Sequence, residues 1–228
     1  MIGIIGGTGL ENFMKDSQEK MIKTDYGEVF LLVKEKVAFI NRHGKDKKTP
    51  PHLINYKANI SAFKKLGVAV ALGVCSVGSL KREIPPGSIL IPDDYINFHP
   101  PTFFNSRTHI TPNLDSNLRK KIIKTARKLG IKVISQGTYF QSKGPRLETK
   151  AEVKMLGKFA EVVGMTLASE ATLAKELGIH YAGICQVDNY AHGLKKENLD
   201  FQKVMEKAKG SRGKLIKLLK EIIKSLNK

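Results

Sequence analysis

Residues 52–67, HLINYKANISAFKKLG, form a helical pattern that stops on Gly67 and passes directly into residues 68–74, VAVALGV, a β-branched apolar run. The same succession recurs. LDSNLRKKIIKTARKLG (114–130) stops on Gly130 before IKVISQGTYF (131–140), and SEATLAKELG (169–178) stops on Gly178 just before HYAGICQV (180–187). Further strand-like runs are VFLLVKE (29–35), VAFINR (37–42) and GSILIPDDYI (87–96). Strands alternating with helices predict an α/β fold with a mixed central β-sheet flanked by helices. In such sheets ligands gather where strands end and loops begin.

The chain has 228 residues, with no Pro/Gly/Ser-rich linker, internal repeat or low-complexity tract, so the expectation is one domain over 1–228. The longest nearly apolar stretch, VAVALGVCSVGSL (68–80), is too short to span a bilayer. No basic region precedes the first apolar strand, so no signal peptide is expected and the expected location is the cytoplasm. Cys75 and Cys185 sit in apolar runs without metal-ligand spacing, which predicts reduced core thiols, no disulfide framework and no metal site. The C-terminal stretch KLIKLLKEIIKSLNK (214–228) sets Leu215, Leu218, Leu219, Ile222, Ile223 and Leu226 on one helical stripe. It is expected to pack on the sheet, the alternative being a basic helix lying on a membrane surface.

Lys and Arg number 39 against 21 Asp and Glu, a formal charge of +18. That balance raises a polyanion-binding protein as an alternative. The lysines are dispersed rather than gathered with aromatics, and the chain has no Trp for base stacking, so no nucleic-acid partner is expected. The N-terminal MIGIIGGTG holds glycines at 3, 6, 7 and 9 after a short strand, a place where bare amides can hold an anion. It is neither a dinucleotide fingerprint, since Asn12 stands where a third glycine is needed, nor a P-loop. A dinucleotide-dependent oxidoreductase is weakened accordingly.

Polar groups interrupt the pattern at four places: RHG (42–44), CSVGSL (75–80), SKGPRLE (142–148) and VGMT (163–166). Each has an ordinary structural reading taken singly. Arg42 suits a surface ion pair, His43 a loop histidine, Ser76 a strand-end hydroxyl and Thr166 a helix cap.

In its motifs the chain resembles the trimeric purine nucleoside phosphorylases, particularly the methylthioadenosine and methylthioinosine phosphorylase branch. The resemblance rests on IGIIGGTGL, RHG, PPHLINYKANI, GSLKREIPPG, THI, GPRLETKAE, VVGMT and EATLAKELGIHYA, in the family's order over almost the whole chain. It implies an enzyme, a pentosyltransferase without a cofactor, that uses inorganic phosphate to split a purine nucleoside. Thr8, Arg42, His43, Ser76 and Thr166 would then surround phosphate, with Met165 against the ribose. An anion held under the anomeric carbon both stabilises an oxocarbenium-like sugar and attacks it. Arg42 would bring a permanent charge and a donor fork.

The leaving purine must be protonated or hydrogen-bonded at N7. The methylthioadenosine branch uses an Asp where QVDNYAHG (186–193) has Asn189, and a second Asp where this chain has Ala191. An Asn can donate to a 6-oxo group and accept from N7–H, whereas an ionised Asp can accept but cannot donate. Glu148 stands where inosine-cleaving relatives use a Glu to accept N1–H, a proton adenine lacks; it also suits the N-terminal end of a helix over LETKAEVKML. Both positions favour 6-oxopurines, and Arg42, His43 and Asn189 are the residues expected to carry catalysis. In NLDFQKVMEKA (198–208), Phe201 and Met205 take the place of the His that binds a 5′-hydroxyl in inosine phosphorylases; they suit a thioether and equally suit core packing. The resemblance further implies a homotrimer or dimer of trimers, with His109 reaching a neighbour's 5′ pocket. Two departures stand out: Leu147 replaces a common Phe, and adenosine-cleaving relatives continue past the position of Lys228 with a segment that helps close the site.

Overall fold

The computed structural model describes residues 1–7, 9–10, 13–14, 16–195 and 201–227, with backbone only for 201–211. The three passages that end on glycine become α1 (Tyr56–Lys65), α2 (Ser116–Lys128) and α4 (Leu167–Glu176). Each stops because Gly67, Gly130 and Gly178 take φ values of +68°, +66° and +70°, the left-handed conformation that closes a helix. The first turns are held by side chains: Asn55 accepts from the Ala58 amide and Asp115 from the Leu118 amide. Between α2 and α4 lies the short α3 (Lys150–Leu156), started by a reciprocal Thr149 and Glu152 capping box. The last helix, α5, runs from Phe201 to Leu226.

Among the described residues the strands are β1 (Ile2–Gly6), β2 (Gln18–Thr24), β3 (Gly27–Lys34), β4 (Val37–Asn41), β5 (Val70–Ser79), β6 (Ile89–Leu90), β7 (Asp94–Ile96), β8 (Thr138–Gln141), β9 (Val162–Gly164) and β10 (His180–Tyr190). They form one mixed sheet in the order β2-β3-β4-β1-β5-β9-β8-β7, with β10 also along β5 and β6 on β10. The run GSILIPDDYI is split into β6 and β7, with Pro92, which has no amide proton to give a ladder, in the interruption. Of IKVISQGTYF only the end joins the ladder; Ile134 makes an isolated bridge to Leu90.

Successive residues of the central strands serve opposite faces, as a period of two requires. Ile5, Ala71, Cys75 and Val77 pack with Phe63 of α1 and Leu167 and Ala171 of α4. Ile4, Leu72 and Val74 pack with Ile122 of α2 and Leu218, Leu219 and Ile222 of α5. The apolar stripe of α5 is thus covered by the sheet and α2, as expected for a packed helix. No helix among the described residues is long and apolar enough to cross a membrane. Cys75 and Cys185 are buried free thiols, register partners across β5 and β10.

Candidate active site

β5 creates the site by changing partners. On one side it pairs with β1 along Val70–Gly73, and at its end with β9 at Gly78 and Ser79, so Val74–Val77 lie between the two pairings. Arg42, just past β4, reaches into this opening. Its Nη1 donates to the Val74 carbonyl at 2.7 Å and its Nη2 to the Ile5 carbonyl at 3.0 Å. Glu170 of α4 meets the same guanidinium twice, at 2.7 Å from Nε and 3.2 Å from Nη2, and also accepts from the Tyr181 hydroxyl at 2.7 Å. Burial alone would lower the Arg42 pKa, but the Glu170 carboxylate outweighs it and holds the guanidinium charged. Burial and the same carboxylate push the Tyr181 phenol well above its ordinary value.

A cavity of ≈ 210 Å³ opens beside this plug, and Arg42, His43, Ser76, Glu148, Met165, Thr166 and Asn189 all line it. Residues scattered over the sequence from 42 to 189 therefore meet in one place. Arg42, Cys75 and Thr166 form a chain of contacts: Arg42 Nη2 lies 3.7 Å from the Cys75 sulfur, which lies 3.4 Å from Thr166 Oγ1. His43 turns Nδ1 to the Thr49 carbonyl at 2.8 Å, so that nitrogen carries the proton. A Cβ on Gly7 would come within 2.9 Å of His43 Nε2 and 3.1 Å of Arg42 Nη1. Glycine is therefore needed at 7 to let both side chains approach the loop.

Three expectations change at this point. Arg42 is not an open fork: Glu170 and two carbonyls occupy most of its donors, and among the described residues the one N–H left without such a bond is on Nη1, the side of Gly7. Thr166 stands at the N-cap of α4 yet makes no side-chain cap bond. The Tyr139 hydroxyl takes that role, accepting from the Thr166 and Leu167 amides at 3.0 and 3.3 Å. Ser76 donates its hydroxyl proton to Asp188, a buried carboxylate of β10 that also lines the cavity.

Asp188, Glu170, Tyr139 and His192 are the residues that sequence reasoning passed over. Asp188 and Glu170 sat inside quoted motifs; what they hold onto is remote in sequence. Leu147 and Ala191 also line the cavity, and His192 Nδ1 lies 3.3 Å from the Glu148 carbonyl. Asn189 Nδ2 donates to the Tyr190 carbonyl at 2.8 Å. Glu148 is 8% exposed, and its carboxylate takes no hydrogen bond from the described residues.

His109 is exposed and lines neither this cavity nor the larger groove next to it. Thr8 lies outside the described residues, as do the side chains of Phe201 and Met205. Among the described residues no group of His, Cys, Asp and Glu could hold a metal ion.

A family model described as the phosphorylase superfamily matches residues 1–224. The chain is 46% identical over 235 residues to a probable 6-oxopurine nucleoside phosphorylase of Archaeoglobus fulgidus, the match covering 99% of this chain and 97% of that one. It is 42% identical over 240 residues to a probable S-methyl-5′-thioinosine phosphorylase of Thermodesulfovibrio yellowstonii, covering 99% and 91%. A methylthioadenosine phosphorylase from Schistosoma mansoni, solved with adenine, superposes with a TM-score of 0.89 at 25% identity, covering 99% of this chain and 91% of that one. The chain belongs to the phosphorylase superfamily. Within it, the chain is a member of the purine nucleoside and methylthioadenosine phosphorylase family that its motifs resemble, and it is a pentosyltransferase.

Proposed function

We propose that the chain, as one phosphorylase domain, splits 6-oxopurine nucleosides with inorganic phosphate, and that S-methyl-5′-thioinosine is its preferred substrate, giving hypoxanthine and 5-methylthioribose 1-phosphate. The observation that carries this reading is the common cavity of Arg42, His43, Ser76, Thr166, Met165, Glu148 and Asn189. In it, phosphate is held by the last Nη1 proton of Arg42, by His43, by the hydroxyls of Ser76 and Thr166, and by Thr8 of the glycine-rich loop. Met165 packs on the ribose. As the N-glycosidic bond breaks, a phosphate oxygen forms the new bond to the anomeric carbon and the purine leaves with the bond's electron pair. The leaving base takes a proton from solvent at N7; Asn189 accepts from that N7–H and donates to the 6-oxo group, and Glu148 accepts N1–H.

A buried carboxylate opposite N1 is an acceptor facing a lone pair when the base is adenine, so adenine nucleosides are disfavoured. Preference for a 5′-thioether rests on the residue types at 201 and 205, Phe201 and Met205, which suit a soft apolar group and carry no partner for a hydroxyl. A second reading, a general 6-oxopurine nucleoside phosphorylase, is favoured by the name of the Archaeoglobus relative. The phosphate-dependent kcat/KM for methylthioinosine, inosine, guanosine and methylthioadenosine decides among them. We expect methylthioinosine to exceed inosine by about ten- to a hundred-fold and methylthioadenosine by roughly a hundred-fold or more. Equal values for methylthioinosine and inosine select the general enzyme. A preference for methylthioadenosine overturns the reading of Glu148 and Asn189, and absence of phosphate-stimulated base release overturns the whole proposal.

We further propose a homotrimer or a dimer of trimers, working in the cytoplasm without a cofactor. His109 is exposed and outside its own chain's cavity, so any share in a site is in that of another copy.

A further inference from the structure

The Ser76 hydroxyl lines the cavity together with Arg42, His43 and Thr166, yet its proton is directed to Asp188 Oδ2. The other oxygen of Asp188 accepts from Gln186 Nε2 at 3.2 Å. A hydroxyl has one proton. While Asp188 is ionised, Ser76 therefore turns only lone pairs toward the cavity, and Asp188 adds a negative charge to the space where phosphate is proposed to sit.

Asp188 is 6% exposed, and burial raises its carboxyl above the usual range, although Ser76, Arg212 and Gln186 pull it down. The charged and titratable groups around it come from every side of the cavity. Arg42 and His43 follow β4, Glu148 precedes α3 and His192 follows β10. Arg212 faces it from α5, with Nη2 buried and unpartnered among the described residues.

We infer that Asp188 is a positioning residue that makes anion capture depend on a proton: phosphate enters when the Asp188 carboxyl is protonated and donates to Ser76 Oγ, which leaves Ser76 to donate its own proton to the anion. The inference rests on the reading of this cavity as the phosphate site. One proton is taken from solvent as the anion binds and returned as the anion or the sugar phosphate leaves; none is transferred to the ligand. The other charged groups around the cavity are the same in wild type and variant, so comparison of the two isolates Asp188.

The test is direct binding of sulfate, whose charge is constant over the range, by calorimetry from about pH 5 to about pH 9. Asp188→Asn keeps an oxygen for Gln186 and places an amide donor against Ser76 Oγ, as the protonated carboxyl does. Asp188→Thr is a second neutral replacement should the first fail to fold. Above the titration of Asp188, the sulfate Kd of the wild type is expected to climb by up to about tenfold per pH unit more steeply than that of either variant. At the acid end the wild-type and Asn curves are expected to meet. Parallel curves across the range overturn the inference and leave the proposed reaction standing. Failure of wild type and variants alike to bind sulfate or phosphate at any pH overturns the reading of the cavity as a phosphate site, and the inference with it.

Discussion

Arg42 spends nearly all its donors inside the protein, on Glu170, Ile5 and Val74, with side-chain exposures of 2% for itself and 1% for Glu170. The pair closes the opening left where β5 exchanges β1 for β9. Removing one member strands a buried charge without its partner, which costs about 3–5 kcal/mol. Arg42→Ala and Glu170→Ala are each expected to lose about that much in urea unfolding. The double variant should lose less than the sum of the two, because no charge is left unpaired. Additive losses would show that the two residues act separately. Activity lost in Arg42→Ala is therefore informative about phosphate only when unfolding is measured beside it. Arg42 itself was legible from RHG as a residue out of place at a strand end. Its partner was not, because Glu170 lies 128 residues away and reads as one acidic residue among several on a helix.

At the scale of elements, the start of α4 decides where Thr166 stands. The Tyr139 hydroxyl on β8 is fully buried and satisfies two of the helix's first amides, and it fits only because position 164 is glycine, whose Cβ would come within 2.5 Å of that oxygen. Tyr139→Phe removes the acceptor and leaves two amides unpaired. The expected result is a stability loss of about 1–3 kcal/mol in thermal unfolding and a phosphate KM that rises while the nucleoside KM holds. A variant with unchanged stability and phosphate KM would show that the cap does not place Thr166.

The helices and long strands of this region were readable from glycine stops and β-branched runs. β2 was not, since Gln18–Thr24 is an edge strand with mostly exposed polar residues and no apolar alternation. Nor was β9, whose Val162–Gly164 is too short to show a period. Both are strands because their neighbours offer a ladder: β2 pairs with β3, and β9 lies between β5 and β8.

For the whole molecule, the cavity shares Pro51, Glu148 and Met165 with a wider groove of ≈ 910 Å³ lined in part by Phe98, Phe140 and Met155. Phe98 is 71% exposed and Met155 53%, large apolar surface at the mouth of a site. We propose that the trimer buries this surface. Light scattering is expected to give three or six chains per particle, and Phe98→Asp to shift the mass toward one chain with loss of nucleoside cleavage. A fully active monomer would remove the shared site.

Taken alone, the sequence determined what is written in local spacing: the α/β class, the helix stops, the packed stripe of α5, and an ordered set of motifs specific enough to imply the family. It also supplied side chains that share the cavity: Arg42, His43, Ser76, Glu148 and Thr166 in the polar breaks of the apolar pattern, and Asn189 through the resemblance. The tertiary structure alone decided what those side chains do with their protons. Arg42 is committed to Glu170, Ser76 to Asp188 across 112 residues, and the cap of α4 belongs to Tyr139 rather than Thr166. Hydrogen-bond partners are set by distances of a few ångströms between elements that the sheet order brings together, and spacing along the chain carries no measure of those distances.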